Sequence, residues 1–303
     1  MQRSTAHMET PISYDSARTR FQALVEFQEL WRYRSLVTNL VARDLKVRYK
    51  RSALGFVWVT LNPLLTTIVL SLAFSYIIGA NQPHFPVFVL AGLIIWNLFA
   101  QGSVAAMSNL VGNGSTLRRM YIPPSVFVVS AVGSALVNLF FTVVPLVLVA
   151  LALRAPFSWT WLYVPIACVQ VPIFTLGVGL IVSTMAVFFN DIYEMYLVLL
   201  TAFNYLTPVF YPITILPPWL QNLEVYNPMY LFVAAAQTAV VGSTACVGGS
   251  LQNGKLVCPH YVVLPPSVPD IKTQLVTWAS ALLVFTIGWL LFTRTEAKFA
   301  YHL

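Results

Sequence analysis

Residues 42–51 read ARDLKVRYKR, and residues 55–78 read GFVWVTLNPLLTTIVLSLAFSYII. The first stretch carries Arg43, Lys46, Arg48, Lys50 and Arg51; the second carries no charge at all. A transmembrane helix needs roughly 20 apolar residues. The first stretch therefore lies at a membrane surface and the second crosses the membrane. On a helix, Asn39, Arg43, Lys46 and Lys50 share a polar face, and Val37, Leu40, Val41 and Leu45 gather on another. This is the pattern of an amphipathic interface helix, apolar side in the headgroup boundary and basic side toward anionic lipid. Such a helix serves either as a topology anchor alone or also as a contact for a cytoplasmic partner.

The whole chain fits that start. Of its 303 residues, 58% are hydrophobic and 9% are charged, against about 45–50% and 25% in soluble domains. Its mean hydropathy is +0.75. The net charge of +7 does not point to nucleic acid, because most Lys and Arg precede the first span.

Six segments are predicted to span: Gly55–Ile78, Phe85–Leu110, Val126–Leu153, Leu162–Phe189, Ile192–Tyr211 and Leu275–Leu291. With the N-terminus inside, Arg118, Arg119, Arg294 and Lys298 join the N-terminal basic residues, and only Arg154, Lys255 and Lys272 lie outside. The positive-inside rule then sets both termini in the cytoplasm. Residues 1–20 are polar without an apolar run, so a disordered lead-in is expected rather than a cleaved signal. Residues 21–54 form the interface-helix region, 55–294 the six-span domain and 295–303 a cytoplasmic tail.

Between the last two spans, an outer segment covers 212–274. Trp219–Val241 is apolar but interrupted at Asn227-Pro228. Proline breaks a helix, so two short re-entrant helices are expected rather than a seventh span. Residues 242–270 follow, with Cys246 and Cys258. Two cysteines in one loop on the oxidising side point to a disulfide closing a small hairpin. Free thiols are the alternative; no second ligand pair supports zinc.

Some classes of function are excluded by what the sequence lacks. There is no G-x-x-x-x-G-K-[ST] and no G-x-G-x-x-G, so this chain does not bind ATP through a P-loop. The predicted spans hold one ionisable side chain, Glu194, at a helix end. Ion-coupled carriers and membrane-embedded enzymes place carboxylates, histidines or metals at depth. No catalytic, cofactor or metal site is expected.

Two other features carry candidate function. The inner loop 109–124 reads NLVGNGSTLRRMYIPP. It is a Gly/Asn turn and a one-turn helix, followed by a proline pair that suits the start of the next span. Asn113, Ser115, Leu117, Arg118, Arg119, Met120 and Tyr121 present a short helix of the kind that docks in a groove of another protein; an ordinary basic loop is the alternative. Neutral polar and aromatic residues also populate the spans: Trp58, Asn62, Trp96, Asn97, Gln101, Tyr193, Tyr196, Asn204, Tyr205 and Tyr211. They can line a path for sugars, with rings on C–H faces and amides on hydroxyls, or they pack and form interfacial belts.

RDLKVRYKRSALGFVWVTLNPLL (43–65), LRRMYIPPSVFVVS (117–130), FFNDIYE (188–194), LTPVFYPITILPPWL (206–220) and YNPMYLF (226–232), in this order, resemble the ABC-2-type permeases. The branch exporting lipid-linked polysaccharides (O-antigen, capsule, teichoic acid) is the most similar. The resemblance covers about Leu30 to the C-terminus. It departs at Asn190, where the family often carries a basic residue, and in the long 242–270 loop. It implies an all-α integral protein of the bacterial plasma membrane that works as a homodimer with a separate nucleotide-binding ATPase. That partner would hold ATP and Mg and receive the coupling helix near Asn113–Tyr121. The cargo implied is an undecaprenyl-type lipid-linked glycan. Export of a drug, lipid or other amphiphile fits the same architecture. A membrane-bound transferase or scaffold is the reading from a different class.

Overall fold

The computed structural model describes residues 22–50, 55, 57–78, 84–120, 122–242, 244–247, 250–252, 255–257 and 260–299. The expected lead-in 1–20 and the predicted site residues Arg51, Tyr121 and Cys258 lie outside them. Two helices, α1 (Gln22–Arg32) and α2 (Arg34–Tyr49), precede α3 (Val57–Ile78) and α4 (Phe85–Gly112). A one-turn helix, α5 (Gly114–Arg119), leads into α6 (Ser125–Ala152), α7 (Tyr163–Phe188) and α8 (Ile192–Leu206). The short α9 (Pro218–Glu224) and α10 (Pro228–Val240) follow, and α11 (Ile271–Thr295) comes last.

Five of these elements are long and apolar enough to cross a membrane: α3, α4, α6, α7 with the 3-10 turn before it, and α11. In lipid a segment must pair its own backbone groups, which the helix does. The predicted ends of these spans agree with the helices to within a few residues, except at α11. That helix starts at Ile271 because Asp270 accepts the Ile271 N–H at 2.9 Å, and it runs to Thr295 because Arg294 is tolerated in its last turn. The predicted span Ile192–Tyr211 is only the 15-residue α8, about 22 Å long. Pro208 causes the shortening: the residue before a proline avoids the helical region, and Thr207 is extended (ψ 125°). The Tyr211 hydroxyl caps the stop, donating to the carbonyls of Tyr205 (2.6 Å) and Leu206 (3.0 Å).

The break at Asn227-Pro228 separates α9 from α10 as predicted. Asn227 caps α10 by accepting the Met229 N–H at 3.0 Å. Its amide donates to Glu224 (2.8 Å) and Thr207 (3.1 Å). Glu224 is buried, and burial raises its carboxyl above the usual range, against the Asn227 hydrogen bond that lowers it. Helix α10 lies within the bundle against α4, α7 and α11. Gln237 fastens it there, donating to the carbonyls of Val209 (2.8 Å) and Phe88 (3.3 Å).

The frame is helical, as expected, and the segment between α10 and α11 adds two short strand pairs that the all-α expectation did not include. Between α10 and α11, β1 (Thr244–Val247) pairs with β4 (His260–Val263), and β2 (Ser250–Gln252) with β3 (Lys255–Val257), both antiparallel. Val247, Val257, Val262 and Val263 in these strands are β-branched, which favours pleated structure. In sequence, Asn253-Gly254 between β2 and β3 is a hairpin-turn dipeptide. Cys246 sits on β1 opposite Tyr261.

The core is built on α4, which packs on α6, α7 and α10. Helices α7 and α11 meet backbone to backbone at Gly177 and Gly288. Helix α3 is the least buried of the five long helices, with Leu65, Ile68, Val69 and Leu72 exposed.

The interface-helix region is two helices, both docked on the bundle. Asn39, Arg43, Lys46 and Lys50 are exposed as predicted. The apolar side of α2 does not face outward to headgroups: Leu40, with Tyr33, Leu36 and Val37, covers Val126 and Phe127 at the start of α6. Packing the two apolar surfaces together removes both from water. Helix α1 docks against the end of α11, where Phe27 meets Trp289 edge-on at 6.2 Å. The buried Glu26 accepts from the Ser125 hydroxyl at 2.5 Å and also hydrogen-bonds Glu296. Burial, with the Glu26 charge and hydrogen bond next in size, pushes Glu296 up to about 9. Burial likewise raises Glu26, against its Ser125 hydrogen bond. A carboxyl whose folded pKa lies above its unfolded 4.5 favours folding while protonated and loses that advantage as pH rises through the folded value. Thermal stability of the detergent-solubilised protein is therefore expected to fall between about pH 5 and about 9, and Glu296→Gln to flatten that fall. Unfolding curves across the range check this; an equal slope in the variant defeats it.

Candidate functional site

Periodicity on α3 builds one wall of a cavity. Trp58, Asn62, Thr66, Leu70 and Phe74 recur every four residues, forming one stripe, and all of them line a single cavity of about 570 Å³. From first to last the stripe covers about 24 Å of helix. Helix α4 contributes Trp96, Asn97 and Gln101, α6 contributes Asn138 and Thr142, and α8 contributes Asn204 and Tyr205. Phe210 and Tyr211, beyond the end of α8, complete it. At one end Arg48 of α2 reaches Gln101 (3.5 Å). At the other, Phe74 lies 6.4 Å from Phe210 and 6.5 Å from Tyr211 between ring centroids.

Among the described residues the lining is neutral apart from Arg48. Amides dominate its polar part. Asn62 accepts from Thr66 at 3.5 Å, and the Asn204 carbonyl oxygen is buried without a hydrogen-bond partner among the described residues. Trp96 is held edge-on against Phe99 and tilted against Phe203, each at 5.7 Å.

The structure thus brings together Trp58, Asn62, Trp96, Asn97, Gln101, Asn204, Tyr205 and Tyr211 from the predicted path. Two predicted members stand apart. Tyr196 lies nine positions before Tyr205, about 180° around the helix. It points away from the cavity and donates to the Ser103 hydroxyl at 2.7 Å. Tyr193 shares the Asn204 side but sits about three turns away and is exposed. Sequence reasoning missed Asn138, Thr142, Thr66 and Arg48. Asn138 and Thr142 had a readable signal: with Ser130 and Ser134 they form a stripe of polar residues four apart in a span otherwise dominated by apolar side chains.

The loop between α4 and α6 is the second candidate element. The Asn113 carbonyl accepts from the Thr116 and Leu117 N–H groups (3.0 and 3.1 Å), which starts α5. The Asn113 side-chain amide donates back to the Asn109 carbonyl at 2.7 Å. Ser115, Arg118, Arg119 and Met120 are all exposed. Leu117, predicted on the docking surface, instead turns inward. It packs against the cluster of Leu40, Val126 and Phe127, because an apolar side chain this close to α6 gains more by burial than by exposure. The Asn109 amide donates to Asp44 at 3.0 Å, and Asp44 also pairs with Arg43 at 3.1 Å. The loop, α2 and the Arg48 end of the cavity are therefore mechanically continuous.

The family signature described as ABC-2 type transporter matches residues 35–241, from α2 through α10 and including both elements just described. The chain belongs to the ABC-2 type transporter family. Relatives of this ABC-2 chain include the O-antigen export system permease protein RfbA of Klebsiella pneumoniae, 29% identical over 197 residues, which is 64% of this chain and 75% of that one. RfbA of Myxococcus xanthus is 32% identical over 187 residues, covering 62% and 72%. The polysialic acid transport protein KpsM of Escherichia coli is 22% identical over 218 residues, covering 71% and 84%. The ABC-2 chain is a multi-pass membrane protein, and its family implies an ABC ATPase partner. Helix α1, the four strands and α11 lie outside the matched region.

Proposed function

We propose that this chain is the permease subunit of an ATP-driven exporter that moves a lipid-linked polysaccharide or polyol-phosphate polymer from the cytoplasm outward. The observation that carries this reading is the cavity. It runs along α3 and is lined by amides and aromatic rings. Rings cover the C–H faces of sugars and amides pair with their hydroxyls. The names of the relatives, O-antigen export and polysialic acid transport, point the same way.

The rest of the arrangement follows from that reading. Six passes, with the short α8 as the fifth, keep both termini in the cytoplasm. The exposed side of α3, with Leu65, Ile68, Val69 and Leu72, faces lipid or a second copy of the chain. The α5 loop seats in a separate ATPase, which holds ATP and Mg, and α9 and α10 form the outer re-entrant pair. A Cys246–Cys258 disulfide closes the β1–β4 segment; non-reducing mass spectrometry that finds both thiols free rejects it.

Depletion in the producing cell tests the function. The expected result is loss of a surface glycan with its lipid-linked form accumulating inside. Unchanged surface glycan, with a drug or phospholipid retained instead, favours export of another amphiphile and defeats the proposal.

A further inference from the structure

Arg48 stands out in the cavity for one reason. Among the described residues it is the single charged side chain in a lining of neutral amides, hydroxyls, aromatics and aliphatics. Its guanidinium carries five donors, and its hydrogen bond to Gln101 is long at 3.5 Å. The ion pair formed among the described residues is Arg43 with Asp44; no carboxylate there neutralises Arg48. Position adds to this. The last turn of α2 holds Arg48 at the Gln101 end of the cavity, where its side chain is exposed. Asp44, one turn earlier, fixes α2 through the Asn109 amide at 3.0 Å. The guanidinium is thus presented to the cavity by an anchored helix. From it the α3 stripe, beginning at Trp58 and Asn62 and ending at Phe74, continues for about 24 Å.

A planar, permanently charged guanidinium with unused donors, beside amides that also donate, is a receptor for phosphate oxygens. We infer that Arg48 is the anion-binding residue of the cavity and receives the phosphate or diphosphate group that joins glycan to lipid. The inference rests on the export function proposed above. It adds which end of the substrate the cavity engages first: the charged linkage at Arg48, with the sugars facing the amides and rings beyond it. A membrane phospholipid headgroup offers the same phosphate chemistry, so the test separates the two sources.

Equilibrium binding of a radiolabelled long-chain polyprenyl diphosphate, and of the corresponding uncharged polyprenol, is measured on the permease–ATPase complex in phosphatidylcholine nanodiscs. Arg48→Gln is expected to weaken the diphosphate about tenfold or more and to leave the polyprenol unchanged. Arg48→Lys, which keeps the charge but loses the fork, is expected to recover part of the binding. The inference is overturned if Arg48→Gln binds the diphosphate as tightly as the wild type, or weakens both probes alike. It is also overturned if the dependence on Arg48 is seen for added phosphatidylglycerol and not for the diphosphate, which makes Arg48 a membrane-lipid contact. The export function is scored separately by surface glycan on depletion, so either can fail alone.

Discussion

Gly288→Leu is expected to eliminate the folded protein. Helices α7 and α11 cross at Gly177 and Gly288 with their backbones in contact. A Cβ placed on Gly177 lies 2.6 Å from the Phe285 nitrogen and the Val284 carbonyl carbon, and one on Gly288 meets the Gly177 carbonyl oxygen. The obstructing atoms are main chain, so no rotamer change relieves them. The helices must separate by about an ångström to reach ordinary contact distance, and the packing of α7 against α11 loosens along its length. Overpacking costs about 1–3 kcal/mol where side chains can yield, and more is expected where only backbone can move. Gly288→Ala, which gains up to about 1 kcal/mol of helix propensity, is expected to remain destabilised. Leu283→Ala, at an exposed position of the same helix, serves as the control. Yield of monodisperse protein and melting temperature in detergent check the series. A Gly288→Leu protein that melts with the wild type sinks the argument.

The second large effect falls on function and spares the fold. Arg118 and Arg119 lie on the last turn of α5, on the side away from the bundle. Neither forms an ion pair among the described residues. Surface substitutions of this kind usually stay within about 0.5 kcal/mol. Acidic residues at the end of a helix cost about 0.3–1 kcal/mol through the helix dipole. The double variant Arg118→Glu/Arg119→Glu is therefore expected to express, insert and melt close to the wild type. A charged surface of the ATPase complementary to two arginines would instead meet two carboxylates, and like-charge contacts cost several kcal/mol at an interface. Co-purification of the ATPase and its stimulated hydrolysis are expected to fall about tenfold or more. If the variant retains both, the α5 loop is not the coupling contact. Leu117→Asp reads out differently: Leu117 packs inward against Leu40, Val126 and Phe127, so that variant is expected to lower stability as well as coupling.

Much of the architecture was legible because it is local. A run of apolar residues without charge has to be a helix in lipid, so the ends of α3, α4, α6 and α7 could be read within a few residues. Asn227-Pro228 announced the division between α9 and α10, since proline stops a helix and asparagine caps the next one. The Gly/Asn turn and proline pair around Arg118 and Arg119 likewise announced α5. The candidate path was partly legible: amides and aromatics in an apolar span are conspicuous, and most of those named do surround one cavity.

Local sequence therefore specified the helices, their order and the chemistry they carry. Which face of each helix does what was settled by packing. Lipid tails are as apolar as a protein core, so a spanning helix shows little difference between its lipid side and its packed side. Hence nothing local separated Tyr205, on the cavity, from Tyr196, which turns to Ser103. Nothing local said that Leu117 and the apolar side of α2 would close on α6. The same holds for Arg48. In sequence it is one basic residue among several before the first span. The docking of α2, fixed by Asp44 on Asn109, makes it the one charge in the cavity among the described residues. That placement depends on contacts between residues more than fifty positions apart, which no local pattern encodes.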